Sequence, residues 1–445
     1  MMDWSKLISS QRFGKEGVAR DERERRSDFQ RDYDRLIFSA AFRRMQNKTQ
    51  VFPLPGSVFV HNRLTHSLEV ASVGRSLGTD VADLLLDRHG EQMRPYLQQF
   101  APIVSAACLA HDMGNPPFGH SGESAIRTYF TEAEGEALRQ YFTEQQWQDL
   151  AHFDGNANTF RLLTHQFAGQ RKGGFVMTYS TLASIVKYPF SSTLAGRKSK
   201  FGFFADEQAS YERIANSLGI PCLERSQGGG VRYARHPLVY LVEAADDICY
   251  EVMDIEDAFK LRILSFEETQ DLFMAFFDEE TQAKMKAAYP DDKDRGDRIV
   301  YYRTCVIGAL ERACVNVFVE HEREILDGTF AGSLIDHIPP REREAYKRCS
   351  RLAVERIYKA QVVTDIELAG YHIIYTLLGL IVDAVLHPDR AYSQLLLGQA
   401  SAQYALGEGT EAERIFHVVD YLTGMTDVFA LDLYRKINGH QLPTV

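Results

Sequence analysis

Residues 102–110, PIVSAACLA, form an apolar helical run that stops at His111–Asp112. A Gly/Pro-rich bend, GNPPFG, follows, and beyond it stand a second polar pair, His120 and Glu123. This stretch constrains the fold more than any other. A helix that is apolar on most of its surface must be packed on most sides, so its two metal-capable terminal groups are delivered into an interior and not to a free surface. Other buried elements must then meet them there.

Two segments are suited to that. In NRLTHSLEVASVGRSL (62–77) apolar residues recur at helical spacing, and Arg63 and His66, three apart, share a face. Beside Leu64, Leu68 and Val70, His66 borders the apolar side. His61 is the alternative donor, but it sits at or before the helix start, where a helix would not fix it. The second segment is PLVYLVEAADDICYEVMDIEDAF, from Pro237. At roughly 100° per residue, Leu238, Leu241, Val242, Ala245, Cys249 and Val252 gather on one side. Glu243, Asp247, Glu251 and Asp254 gather opposite, as a solvated charged stripe would. Asp246 falls at the apolar border with Tyr250 one turn away, and a carboxylate there is costly unless paired or metal-bound. Asp246 is therefore the expected ligand, with Asp247 solvated. His66, His111, Asp112 and Asp246 make two imidazoles and two carboxylates, a set suited to a divalent ion of intermediate hardness such as Mn²⁺, Fe²⁺, Zn²⁺ or Mg²⁺. A lone His-Asp dipeptide is weak evidence; the order H…HD…D is far more specific.

Helical periodicity also dominates 299–325, 342–362 and 368–386. The run YHIIYTLLGLIVDAVL (371–386) carries His372 and Asp383 and falls short of about 20 clean apolar residues, so it reads as a core helix and no membrane contact is expected. The glycines of PCLERSQGGGVRYARH (221–236) suit a hairpin; AGRKSKFGFF (195–204) and YPDDKDRGDR (289–298) read as irregular. The fold expected is all-α with a minor β-hairpin. A balance of 50 basic against 61 acidic residues leaves a net charge of −11, so no global polycation drives nucleic-acid binding, and an anionic ligand needs local Lys and Arg. The six cysteines lack CxxC spacing and the N-terminus lacks a secretory apolar region; reduced thiols and a cytoplasmic location are expected.

HNRLTHSLEV, AACLAHDMGNPPFGHSGE and LVEAADDICYEVMDIEDA closely resemble the bacterial deoxyguanosine triphosphate triphosphohydrolases, a branch of the HD-domain metal-dependent phosphohydrolases. The resemblance runs from DYDRLIFSAAFRRMQNKTQVFPL (32–54) through KYPF (187–190) and KFGFF (200–204) to YLTGMTDVFALDLYRKI (421–437). HDMGNPPFGHSGE is particular to this branch; HD phosphodiesterases and (p)ppGpp hydrolases share only the metal ligands. The resemblance implies an HD-domain helical fold with additional helices over 1–445, a metal-site core at 60–260, and a C-terminal helical lobe at 261–445 that completes the substrate site and oligomer contacts.

It further implies hydrolysis of a deoxynucleoside triphosphate, dGTP leading, to deoxynucleoside and inorganic triphosphate by attack at the α-phosphorus. His66, His111, Asp112 and Asp246 carry over as ligands of Mg²⁺ or Mn²⁺, with Fe²⁺ or Zn²⁺ as alternatives. His120 and Glu123 match the catalytic pair: the bend turns His120 toward the α-phosphate, and Glu123 fixes its tautomer. Gln50 matches a residue near the sugar 3′-hydroxyl, Tyr250 one that packs on the deoxyribose, and Asp254 lies close to the same region. Arg63, Lys187 and Lys200 match phosphate-contacting cations, with Arg197 and Lys198 in the same loop as Lys200. A homo-oligomer, a hexamer favoured, and a dNTP activator are implied partners. Three alternatives stand: a broad dNTPase, another HD nucleotide phosphodiesterase, or a nucleotide-sensing or single-strand nucleic-acid-binding protein. Support for the last is GVARDERERRSDFQRDYDR (17–35) and KSKFGFF, though the arginine run is interleaved with acids.

Overall fold

The computed structural model describes residues 1–18, 23–52, 60–196, 199–290 and 294–440. Among these the fold is helical, and its one sheet is the antiparallel hairpin Cys222–Arg225 with Val231–Tyr233. The expected hairpin at 221–236 is therefore present. Arg197, Lys198, residues 19–22 of the arginine run and 291–293 of the second irregular stretch lie outside the described residues.

Helix Arg63–His89 starts on an Asn62 cap, whose side chain accepts from Thr65 N while Thr65 returns a bond to the Asn62 backbone. It runs a full three turns past the predicted stretch and ends at Gly90. Helix Phe100–Ala110 is buried almost all round. Two glycines let the pair approach closely. A Cβ at Gly74 would lie 2.5 Å from Cys108 Sγ, and one at Gly78 would lie 2.9 Å from Ala101 Cα. That closeness brings His66 and His111 within reach of one another, and helix Val239–Lys260 packs across both.

Apolar side chains form two cores. The first gathers these three helices with the N-terminal residues and Arg295–Glu320. The second gathers His120–Thr131 with Gln361–Leu386, Glu411–Thr423 and Asp427–Ile437, so it takes in residues from both sides of residue 260. Met113 belongs to the first core and Ala125 to the second. The bend 114–119 is thus where the chain crosses from one to the other.

Several expectations change. The long helix through 299–325 breaks at His321 into Arg295–Glu320 and Glu322–Asp327. The 342–362 helix ends at Leu352, followed by a π-helical turn over Ala353–Ile357. The next helix starts at Gln361, seven residues before the expected 368. Gln361–Leu386 is long and apolar enough to cross a membrane, yet half of its most apolar window is buried against the second core. Leu68, placed by periodicity beside His66 on the apolar side, is 37% exposed.

The charged stripe of helix Val239–Lys260 is not solvated. Glu243, Glu251 and Asp254 are buried and Asp247 is half-buried. The segment 340–358 reaches Asp247, Glu251 and Asp254, and Arg235 and Lys187 pair with Glu243, so a wheel built from one helix could not see this cover. Ser350 Oγ donates to Glu251 at 2.6 Å, Tyr358 OH to Asp254 at 2.9 Å, and Tyr346 OH to the Asp247 carbonyl at 3.1 Å. Burial raises the carboxyls of Asp247 and Glu251 to about 7 each.

Candidate active site

At the first core's edge, His66, His111 and Asp112 offer donor atoms all within 4.8 Å of one another. Asp246 Oδ1 lies 3.0 Å from His66 Nε2 and 3.4 Å from His111 Nε2. Three helices therefore bring together the four residues expected as a metal set. His111 Nδ1 lies 2.6 Å from the Cys108 carbonyl, and an N–H there leaves the Nε2 lone pair for the cluster. That Nε2 is buried and makes no well-formed hydrogen bond, its contact with Asp246 Oδ1 being long at 3.4 Å, so the position accepts a further partner. Burial alone would raise both carboxyls. Arg63, His111 and His66 instead hold Asp112 below its ordinary value, and His111 and His66 hold Asp246 well below it. Burial opposes a charge on His111, but Asp112 and Asp246 outweigh it and raise the ring to about 9; a cation binding at Nε2 would displace that proton. Two carboxylates in an imidazole-lined pocket call for positive charge, and the donor set fits a divalent cation.

The shell around Asp112 is fuller than the sequence foretold. Arg63 Nη1 donates to Asp112 Oδ2 at 2.6 Å and Asn115 Nδ2 donates to Oδ1. Asn115 lies three residues after Asp112 in HDMGN, a signal that spacing alone could have supplied. His61 is held after all, by tertiary partners away from the cluster: its Nδ1 lies 2.7 Å from Asp257 and its Nε2 3.1 Å from Glu69.

Across the bend, Gly119 adopts φ 56 and ψ −126, and helix His120–Thr131 begins directly after it. The His120 side chain is 80% exposed, whereas that of Glu123, 3.3 Å from His120 Nδ1, is 3% exposed. The two do not form an exposed surface pair. Glu123 Oε1 accepts from Gly155 N at 2.8 Å, and Oε2 lies 3.9 Å from Arg127 Nη1. Although burial opposes it, His120, the nearby Lys200 charge and the Gly155 amide bring the Glu123 carboxyl down to about 2. It is a fixed anion, and it leaves His120 Nε2 free to face solvent or ligand.

Tyr250 stands edge-on to His66, ring centroids 6.3 Å apart. Asp254 sits one turn on, bonded to Tyr358, and burial raises its carboxyl well above the usual range. Gln50 Oε1 is buried without a partner. Lys187 pairs with Glu243 at 3.2 Å and Lys200 with Asp154 at 3.3 Å, so both ammonium groups rest in ion pairs beside the site. Asp154, Gly155, Arg127 and Tyr358 escaped sequence reasoning; the FDGN turn hints at the first two, and nothing local marks Tyr358.

Residues 63–155 match the family described as HD domain, and residues 337–436 match the Phosphohydrolase-associated domain. Full-length relatives agree. A "Deoxyguanosinetriphosphate triphosphohydrolase-like protein" of Pseudomonas aeruginosa (strain LESB58) is 36% identical, with 100% of both chains covered. One of the same name from Synechocystis sp. is 35% identical, over 99% of this chain and 100% of its own. A protein named "Deoxyguanosinetriphosphate triphosphohydrolase" from Yersinia enterocolitica is 30% identical over 98% of this chain and 99% of its own.

Proposed function

The chain belongs to the deoxyguanosinetriphosphate triphosphohydrolase-like family of HD-domain phosphohydrolases, and from that membership and the site's geometry we propose that it hydrolyses a deoxynucleoside triphosphate, dGTP first, to deoxynucleoside and inorganic triphosphate. The observation that carries the reading is the meeting of two imidazoles and two carboxylates, His66, His111, Asp112 and Asp246, followed across the bend 114–119 by a His–Glu pair on the next helix.

His66, His111, Asp112 and Asp246 would hold the divalent ion, Mg²⁺ or Mn²⁺ ahead of Fe²⁺ or Zn²⁺. When bound, that ion supplies charge neutralisation at the α-phosphate and a more acidic water. Arg63, fixed by Asp112, presents its guanidinium toward the phosphates. Lys187 and Lys200 exchange their carboxylate partners for phosphate oxygens, as a reaction limited by positioning and charge neutralisation requires. Water attacks the α-phosphorus, the bond from phosphorus to the 5′-oxygen breaks, and that oxygen takes up a proton. His120 carries the proton transfer, either from the attacking water or to the leaving oxygen; buried, ionised Glu123 orients it and stabilises the imidazolium form. Tyr250 packs on the deoxyribose and excludes a 2′-hydroxyl, with Asp254 behind it, and Gln50 meets the 3′-hydroxyl.

On the same reading, 60–260 is the metal-site core, and 261–445 completes the substrate site and supplies contacts for a homo-oligomer. A cytoplasmic location and a dNTP activator belong to the same reading.

The test is product analysis: protein with Mn²⁺ or Mg²⁺, each dNTP and GTP, singly and mixed. Deoxynucleoside plus triphosphate, dGTP fastest and GTP inert, is the expected result. Turnover of several dNTPs, or only in mixtures, keeps the chemistry and replaces the base preference. Release of pyrophosphate or phosphate instead would mark a different HD phosphohydrolase, and no nucleoside from any substrate would sink the proposal.

A further inference from the structure

The bend that carries His120 contains an unfavourable residue. Phe118 has φ 60, and Gly119 after it has φ 56. Glycine enters the left-handed region at little cost, whereas a phenylalanine there is strained and persists only where its surroundings over-determine it. Helix Gly155–Thr164 holds the bend's first residue, Gly114, through Thr159 and Asn158, and the C-terminal helices hold Phe118. Asp427, the first residue of helix Asp427–Ile437, is buried, and its Oδ1 accepts the Phe118 N–H at 2.9 Å. The Phe118 ring packs so closely on Gly370 that a Cβ there would lie 2.5 Å from it. Ser121 Oγ donates to the Glu367 carbonyl.

The same carboxylate reaches a second segment. Asp427 Oδ2 accepts the Thr49 N–H at 2.8 Å, next to Gln50. Buried Lys48 closes the loop: its ammonium bridges the Asn115 carbonyl at 2.5 Å and the Thr423 carbonyl at 2.7 Å. One carboxylate thus ties three stretches of chain, 48–50, 115–120 and 423–427, at the crossing between the two cores.

We propose that Asp427 is a positioning residue for the proposed phosphohydrolase reaction: by holding Phe118 left-handed and Thr49 in place, it sets His120 and Gln50 relative to the metal-ligand cluster. The inference rests on the reading above for the role of His120, but its geometry does not. In Asp427→Asn the amide keeps one acceptor and turns an N–H donor toward a backbone N–H, so one of the two bonds is lost.

The experiment compares wild type, D427N, D427E, H120A and the double variant D427N/H120A. Turnover, KM, melting temperature and amide hydrogen exchange of peptides covering 100–110 and 115–121 are measured. For D427N we expect kcat to fall about 100-fold, the loss that a displacement of about 1 Å imposes on a positioned group, with KM raised severalfold. Exchange should accelerate at least about tenfold in 115–121 and stay unchanged in 100–110. D427E, which keeps both acceptors, should recover part of the loss. In kcat the double variant should be no slower than H120A, because the loss in kcat acts through His120; the rise in KM, which is the share carried by Thr49 and Gln50, should persist. Losses that multiply, kcat within twofold of wild type, or unchanged exchange at 115–121 would overturn the proposal. If wild type itself releases no nucleoside, the proposed reaction falls, and the exchange comparison alone decides the positioning role.

Discussion

The two halves of the site are built on opposite plans. The four candidate metal ligands sit on one core, where Arg63, Asn115 and the Cys108 carbonyl fix Asp112 and His111 from several sides. The His120–Glu123 half sits on the other core, where only the carboxylate is buried and the imidazole reaches out. A pocket that collects charge needs every donor fixed before the ion arrives. A group that moves a proton needs one fixed partner and one free nitrogen. On the proposed reading the two jobs are divided between two cores, and their relative placement falls to the bend between them.

The largest expected effect breaks the first half. His111→Ala or Asp112→Asn should abolish turnover and Mn²⁺ binding together, read by product assay and by the electron paramagnetic resonance signal of free Mn²⁺. Retained Mn²⁺ binding would place the ion elsewhere. Next, His120→Ala should cost about 10³-fold in kcat, inside the range for general acid–base catalysis, with Mn²⁺ binding kept. Loss of both would erase the division between the halves.

The smallest effect concerns stability and sharpens the contrast between held and free histidines. Burial works against a charged His61, but Asp257 and Glu69 raise its pKa to about 10, against 6.5 when unfolded. Folded protein therefore holds a proton that unfolded protein releases between those values. The stabilisation is complete below about pH 6.5 and is lost as pH rises through about 10. Urea unfolding at pH 6, 8 and 10 should show wild type converging on His61→Gln; a gap that stays constant with pH would show that His61 is not charged.

Much of the site was legible because it is local. HDMGNPPFGHSGE places Asp112, Asn115, His120 and Glu123 within twelve residues, and helical spacing singled out His66 and Asp246. What failed were inferences about surroundings. The wheel left Asp254 and Glu251 to water because no property of their own helix announces that Tyr358 and Ser350 will cover them. His61 read as unfixed because its partner Asp257 is 196 residues away.

The sequence by itself determined the helical class, the hairpin, the metal-ligand candidates and the His–Glu pair, since periodicity and short spacing survive without a fold. Only the tertiary structure decided that the two halves stand on separate cores, that Lys187 and Lys200 rest in ion pairs, and that Asp427 holds a left-handed Phe118. Those features depend on contacts between segments far apart in the chain, 309 residues for Phe118 and Asp427. Burial and hydrogen bonding there come from where distant segments meet, and no window along the chain contains both partners.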